Sequence, residues 1–203
     1  MKNKIGVMQG RLLPKYKGLY QAHPKGYWKD EFTIAKDFGL DCIEFILDFN
    51  DAEENPLLNP AGLEEIISIS SITGVSVKSI CADYFMEAPL HNESEDAAEK
   101  SINILNRLIS NASALGVKDI VIPCVDQSTL DTEVAVKRFI LQIKNIIPKI
   151  KIIFFPPVNI IITRGVVING VNRIEIFIQE REAEVKIILW NISEAAEFRF
   201  FPL

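Results

Sequence analysis

Apolar residues follow two alternating patterns along the first three-quarters of the chain, short continuous runs and longer stretches with helical spacing. Helical spacing predicts helices at Asp30–Phe38, from Asn59 to Gly74, from Ser94 to Gly116, and at Thr132–Ile147. The short runs predict strands at Lys4–Met8, Cys42–Leu47, Val75–Ala82, Asp119–Cys124 and Lys151–Phe155. Successive strands therefore begin roughly thirty or more residues apart, which is the length of one βα unit.

The predicted strands are apolar throughout and do not alternate with polar residues. This composition is typical of parallel strands that helices cover on both faces. Repeated βα units form either an open doubly wound sheet or a (β/α)₈ barrel. Neither G-x-G-x-x-G nor G-x-x-x-x-G-K-[ST] follows the first strand, so no nucleotide-binding fingerprint supports the open sheet. We therefore predict an α/β fold, a partial TIM-type barrel of four to five βα units over residues 1–150.

Residues 151–203 have a different pattern, because they are rich in isoleucine and contain no Asp, His or Tyr. We expect an atypical, β-rich tail that forms a second domain. Turns are predicted at Thr163–Gly165 and Asn169-Gly170, and a brief helical turn at Ser193–Glu197. Short strands are predicted at Val158–Ile162, Val166–Ile168, Ile174–Ile178, Val185–Trp190 and Phe198–Phe201. Our hypothesis is that this tail is a frameshifted or degraded remnant.

Composition and charge limit the classes of protein to which this chain can belong. The 203 residues are 48% hydrophobic and 24% charged with a net charge of −5, which is typical of a globular domain and argues against a nucleic-acid partner. Three cysteines and two histidines argue against a disulfide framework and exclude a classical zinc finger. The N-terminus has no signal peptide, and no apolar stretch is long enough to span a membrane. We expect a cytoplasmic protein without membrane contact.

Polar residues at the carboxyl ends of the predicted strands are the candidates for function, because active sites of parallel barrels lie there. Two carboxylates, a glutamate and an arginine around one mouth suit a sugar, whose hydroxyl groups donate to carboxylates and whose phosphate an arginine binds. The candidates are Gln9, Arg11, His23, Glu44, Asp83, Asp126 and Gln127.

Each candidate also has a purely structural interpretation. An aspartate at a strand end often forms a turn, so Asp83 and Asp126 stay evenly balanced between the two roles. Glu44 has apolar neighbours and needs a partner if buried, which favours a catalytic role. His23 precedes Pro24 and is expected at the surface, either solvated or as part of a lid. His91 is expected in solvent, and the cysteines are expected to be small core residues and not nucleophiles.

Several segments resemble the sugar phosphate isomerase/epimerase family, which is part of the xylose isomerase-like TIM barrel superfamily. The resemblance covers about residues 1–150. It rests on Ile5–Leu12, Trp28, Glu31-Phe32, Gly39–Glu44, Ser79–Asp83, and Gly116-Val117 followed by Ile120–Pro123.

The resemblance implies an enzyme that isomerises or epimerises a small sugar or sugar phosphate by moving a proton beside a carbonyl, with a divalent metal (Mn, Mg or Zn). It also implies that the ligands come mainly from the second half of the barrel. Here Pro156-Pro157 stands where a glutamate is expected, and Phe177 where a histidine is expected. We therefore expect a truncated member that does not bind the metal, and whether it keeps activity stays open.

A half-barrel has unpaired strand edges, so we expect a homodimer through them.

The function has two other interpretations. In the first, the chain is a non-catalytic α/β domain for binding or assembly. An endonuclease IV-like role would need more histidines and a basic face, which this sequence lacks.

Overall fold

The computed structural model describes the backbone of residues 4–19, 21–153, 159–165, 173–181 and 184–191, and the side chains of residues 4–19 and 21–146. Seven strands form one sheet in sequence order. The first five strands are parallel, and the last two pairings are antiparallel. The strands are β1 (Gly6–Met8), β2 (Cys42–Ile46), β3 (Ser76–Cys81), β4 (Asp119–Cys124), β5 (Asn159–Gly165), β6 (Arg173–Arg181) and β7 (Glu184–Asn191).

Helices connect the parallel strands, so the predicted α/β architecture of successive βα units is confirmed. They are α1 (Asp30–Asp37), α2 (Pro60–Thr73), α3 (Tyr84–Glu87), α4 (Glu95–Ala114) and α5 (Glu133–Ile153). Short 3₁₀ turns occur at Ala52–Glu54, Pro56–Leu58 and Asp126–Ser128. None of the described helices is long and apolar enough to cross a membrane.

The predicted helix caps form. The side chain of Asn59 accepts a hydrogen bond from the Gly62 N–H at 2.7 Å, and Ser94 accepts one from the Ala97 N–H. Gly74 ends α2 with a φ of +77°, a conformation that costs glycine little. These local signals fix where the helices begin and end.

The predicted fifth strand, Lys151–Phe155, is wrong for its first three residues, which end α5. A short apolar run fits a helix as well as a strand, and a helix that already exists gains one hydrogen bond for each added residue. The fifth parallel strand is β5, which pairs with β4 from Asp119 to Cys124. Thr163–Gly165 belongs to this strand, so the predicted turn there is also wrong.

The last two described strands contain the predicted segments Ile174–Ile178 and Val185–Trp190. The predicted elements at 154–155, 166–168, 169–170, 193–197 and 198–201 lie outside the described residues. The division into domains at residue 150 and the remnant hypothesis stay predictions. α5 runs across that position.

The first four strands have one face against the helices and one face that is partly open. Ile43, Phe45, Ile80 and Ile120 are fully buried in the core on the helix side. Residues that alternate with them face the other way. On that second face Glu44 lies beside Ser79, and Ser79 beside Asp119, and all three are half-buried. We call the row Glu44, Ser79 and Asp119 the polar face.

One close approach makes a sharp test of the packing between α2 and the turn before it. A Cβ on Gly62 would lie against the Pro56 Cα and 2.6 Å from the Pro56 carbonyl oxygen, both of which are backbone atoms. We expect Gly62→Ala to destabilise the protein by about 1–3 kcal/mol, although alanine favours helices. Urea unfolding measures this change.

Ser68→Ala, at an exposed position of the same helix, is the control and should change stability by less than about 0.5 kcal/mol. Equal stability of the Gly62→Ala variant and the parent protein would contradict the packing between α2 and Pro56.

Candidate functional site

A cavity of about 370 Å³ lies at the carboxyl ends of β1, β2 and β3. Its walls come from three loops, residues 16–19 and 21–25 after β1, residues 48–55 after β2, and residues 83–87 after β3. Many of the lining side chains are charged or titratable. These are Lys17, His23, Lys25, Asp48, Asp51, Glu54, Asp83 and Glu87.

His23 belongs to the wall of this cavity and not to the protein surface, so the expectation of an exposed histidine is wrong. Its side chain is only 7% exposed, and its ring lies 5.5 Å from Phe45 and 6.3 Å from Trp28 between centroids. Burial, with the nearby Lys25 charge, lowers the pKa of His23 to about 4. The imidazole is therefore neutral at physiological pH.

Gln9 lies beneath His23 and is fully buried. Its Oε1 atom accepts a hydrogen bond from the Ile46 N–H at 3.1 Å and lies 3.1 Å from His23 Nδ1. The backbone N–H of Gln9 also donates to the Glu44 carbonyl at 2.9 Å. This residue, which the sequence predicts as part of the site, therefore joins β1, β2 and the loop that carries His23.

Two aspartates face the cavity from neighbouring loops. Asp48 Oδ2 accepts a hydrogen bond from the His23 backbone N–H at 2.7 Å. Asp83 Oδ2 accepts one from Gln21 Nε2 at 2.8 Å, and Asp83 Oδ1 accepts one from the Cys81 thiol at 3.0 Å. Burial raises the pKa of Asp48, and the charge of Asp83 raises it further. The two carboxylates thus interact across the cavity.

The Cys81 thiol next to Asp83 stays protonated. Burial and the carboxylate of Asp83 raise its pKa far above its usual value. A nucleophilic cysteine needs the thiolate, so this residue serves as a buried hydrogen-bond donor. Cys124 is buried as well, whereas Cys42 is half-buried.

Sequence reasoning missed Asp48, Gln21 and Glu31. Asp48 follows the second predicted strand directly, so the rule that selected Asp83 could have found it. Gln21 lies two residues before His23 in the loop and has no distinguishing pattern. Glu31 lies in the first turn of α1, where an acidic residue is ordinary.

Glu31 fixes the loop after β1. Its carboxylate is completely buried and accepts the Gly10 N–H at 2.8 Å and the Leu12 N–H at 3.0 Å. Burial raises the pKa of Glu31, and the backbone N–H groups partly offset that effect. This carboxylate therefore determines the path of the segment that carries Gln9 and Arg11.

Gln9 lies below the cavity wall, and the remaining predicted site residues also lie outside the cavity lining. Glu44 accepts a hydrogen bond from Ser79 Oγ at 2.7 Å on the polar face. Arg11 is exposed, and Asp126 is exposed with a φ of +50° in a 3₁₀ turn. Gln127 is exposed and donates to Glu87 Oε2 at 3.1 Å, which connects it to the cavity rim. The structure thus brings His23, Gln9 and Asp83 together, without Arg11 or Asp126.

His91 is half-buried and not solvated as expected. Its ring centroid lies 6.2 Å from that of Phe139, and its buried Nδ1 atom has no hydrogen-bond partner among the described residues. It does not line the cavity.

The described side chains do not fit a divalent metal ion. Among residues 4–19 and 21–146, no group of three or more His, Cys, Asp and Glu side chains could hold one. These side chains therefore support no chemical step through a metal.

Comparison with curated proteins identifies a sequence relative. The chain is 29% identical over 105 residues to L-ribulose-5-phosphate 3-epimerase UlaE of Salmonella heidelberg (strain SL476). This match covers 50% of the chain and 37% of the relative. The chain therefore spans well under half the length of this curated relative. No family model matches the chain.

Solved structures give the same fold. The 3-keto-D-glucoside 4-epimerase YcjR of E. coli matches with a TM-score of 0.51 and 18% identity, over 71% of this chain and 51% of that one. The D-psicose 3-epimerase of Clostridium cellulolyticum H10 matches with a TM-score of 0.54 and 14% identity, over 72% and 48%. At these identities the likeness concerns the fold, and it covers about half of each solved chain.

Removing the Glu31 carboxylate should loosen the loop after β1. Glu31→Ala leaves the Gly10 and Leu12 N–H groups without their acceptor, so we expect a loss of about 2–3 kcal/mol in the free energy of unfolding. Glu31→Gln keeps an acceptor oxygen and should lose less. Thr33→Ala, at an exposed position of α1, is the control, and equal losses in the two alanine variants would refute the role of Glu31.

The neutral state of His23 predicts a pH dependence of stability. The unfolded chain binds a proton at this residue near pH 6.5 and the folded chain only near pH 4, so stability is full above pH 6.5 and is lost as the pH falls towards 4. Between pH 7.5 and 5.0 the protonation of His23 should lower the free energy of unfolding by about 2 kcal/mol.

Urea unfolding of the parent protein and of His23→Phe at both pH values isolates this contribution, because the carboxyl groups are common to both proteins. We expect the stability difference between the two proteins to shift by that amount in favour of the variant at pH 5.0. A difference that does not change with pH would show that His23 takes up its proton equally in both states.

Proposed function

We propose that this chain is a member of the xylose isomerase-like superfamily of sugar isomerases and epimerases, and that the cavity at the ends of β1, β2 and β3 binds a small sugar or sugar phosphate. One observation carries the proposal. Two interacting carboxylates, Asp48 and Asp83, line the same cavity as the neutral His23.

The chemistry of the lining suits a polyol. Ionised carboxylates only accept hydrogen bonds, and each sugar hydroxyl donates one. Tyr16 and Phe49 add aromatic surface for the apolar side of a sugar ring. Lys17 and Lys25 lie on the same wall, and each forms an ion pair with Asp51, at 3.8 and 3.4 Å. A phosphate would compete with Asp51 for these two ammonium groups.

Catalysis is a separate part of the proposal. Members of the family move a proton beside a carbonyl with the help of a divalent metal, and the described residues of this chain do not fit that metal. Glu44, the residue that we predict as catalytic, contacts Ser79 on the polar face and does not line the cavity. We therefore propose binding as the function of this half of the barrel, with His23 and Asp83 in the cavity lining and Gln9 as the buried residue that positions His23.

Isothermal titration with L-ribulose 5-phosphate and with D-psicose tests the binding proposal. We expect saturable binding by the parent protein and an affinity at least about tenfold lower for Asp83→Asn, since one hydrogen bond to a charged group is lost. Lys137→Ala is the control, because Lys137 is exposed on α5 and does not line the cavity. Binding that Asp83→Asn leaves unchanged would remove the cavity from the proposal.

The same samples test the reaction. Deuterium incorporation from D₂O into the sugar, followed by NMR with and without Mn²⁺, reports proton transfer at carbon. We expect deuterium incorporation at the background level both with and without Mn²⁺. Incorporation that depends on Mn²⁺ would mean that residues outside the described set supply the ligands.

The remnant hypothesis for residues 151–203 has its own test, which is to resequence the coding DNA and translate every frame beyond codon 150. A frame that restores a Glu after the fifth strand, an Asp in the sixth and a His in the seventh would support it. If no frame restores them, the tail is genuine and the hypothesis is wrong.

The expected homodimer also stays a proposal. β1 and β7 lie at the two edges of the described sheet, and β1 has only three residues. An unpaired strand edge can pair with another chain. Light scattering at several protein concentrations would detect the dimer.

A further inference from the structure

His23 has a hydrogen-bond arrangement that assigns its tautomer. The assignment depends on Gln9, whose amide oxygen and nitrogen must be told apart by their partners. The amide atom 3.1 Å from the Ile46 backbone nitrogen faces an N–H group, which can only donate. That atom is therefore the oxygen, and the orientation of the Gln9 amide is fixed by the backbone of β2.

The same oxygen determines where the imidazole carries its hydrogen. It lies 3.1 Å from His23 Nδ1, and two acceptors would repel each other at that distance. Nδ1 must therefore carry the hydrogen and donate it. Since the ring is neutral, Nε2 keeps its lone pair. Nε2 is then the atom of this ring that can accept a hydrogen bond.

The His23 ring lies in the wall of the cavity, so a bound ligand can contact it. His23 lines the cavity, whereas its partner Gln9 is fully buried below it. Trp28 and Phe45 hold the ring through aromatic contacts. Two charged residues lie near it, Lys25 in the same loop and Asp48, which accepts the backbone N–H of His23.

We propose that His23 is a specificity-determining residue that accepts a hydrogen bond through Nε2 from one hydroxyl group of the bound sugar. This inference rests on the proposed function, because it assumes that a sugar occupies the cavity. The fixed acceptor favours a hydroxyl at that position. A carbonyl or phosphate oxygen there would place two acceptors against each other, and a deoxy carbon would leave Nε2 without a partner. The two aspartates already supply acceptors, so His23 adds a neutral one that does not repel a phosphate elsewhere on the ligand.

The first test needs no ligand. Long-range ¹H–¹⁵N NMR of the protein labelled at histidine distinguishes a protonated from an unprotonated ring nitrogen, and His23→Phe assigns the signal. We expect a protonated Nδ1 and an unprotonated Nε2 at pH 7. The opposite tautomer overturns the inference and leaves the binding proposal untouched.

The second test adds L-ribulose 5-phosphate or D-psicose as the probe. We expect the Nε2 resonance to move in the direction of hydrogen bonding, and His23→Phe, which keeps an aromatic ring beside Trp28 and Phe45, to bind about tenfold more weakly. Lys137→Ala should bind as the parent protein does.

The outcomes separate the two proposals. Normal binding with an unchanged Nε2 resonance, or normal binding by His23→Phe, overturns the role of His23 alone. No binding of either probe by the parent protein overturns the proposed function and this inference with it. If His23→Phe fails to fold, the change of the Nε2 resonance when the probe is added to the parent protein still shows whether His23 contacts the sugar.

Discussion

The arrangement of the cavity depends on a single buried oxygen, Oε1 of Gln9. It accepts the Ile46 N–H of β2 at 3.1 Å, and it also lies 3.1 Å from the Nδ1 atom of His23. A buried amide oxygen without donors would be costly, so the strand and the histidine loop are held by the same requirement. The backbone N–H of His23 then donates to Asp48 and so determines the position of the second loop.

The sequence allowed the βα units and several of the site residues to be predicted. Long helices with clear caps, such as those that begin after Asn59 and Ser94, depend on local chemistry and were found with accurate ends. The boundary between α5 and β5 was misplaced, because Ile152 and Ile153 fit the apolar pattern of either element. A short apolar run by itself cannot decide between a helix and a strand.

The site was harder to predict because its contacts join residues that are far apart in the chain. His23 precedes a proline in a loop, which suggests exposure, yet it packs against Trp28 and Phe45. Gln21 and Asp83 are 62 residues apart and meet at 2.8 Å. The rule that strand ends carry function selected Gln9 and Asp83, which take part in these contacts, and it selected Asp126, which does not line the cavity. Strand ends identify the correct edge of the sheet, whereas the fold of each loop decides which side chains turn inwards.

The polar face has a consequence for how the stability of this protein changes with temperature. Glu44, Ser79 and Asp119 occupy a sheet surface that closely packed proteins fill with apolar side chains, and they remain half-buried. Exposure of apolar groups raises the heat capacity on unfolding, and exposure of polar groups lowers it. A sheet with such a face therefore gives a smaller heat-capacity change for its length than one that is apolar on both sides. The stability curve becomes flatter, so the fold loses less of its stability in the cold.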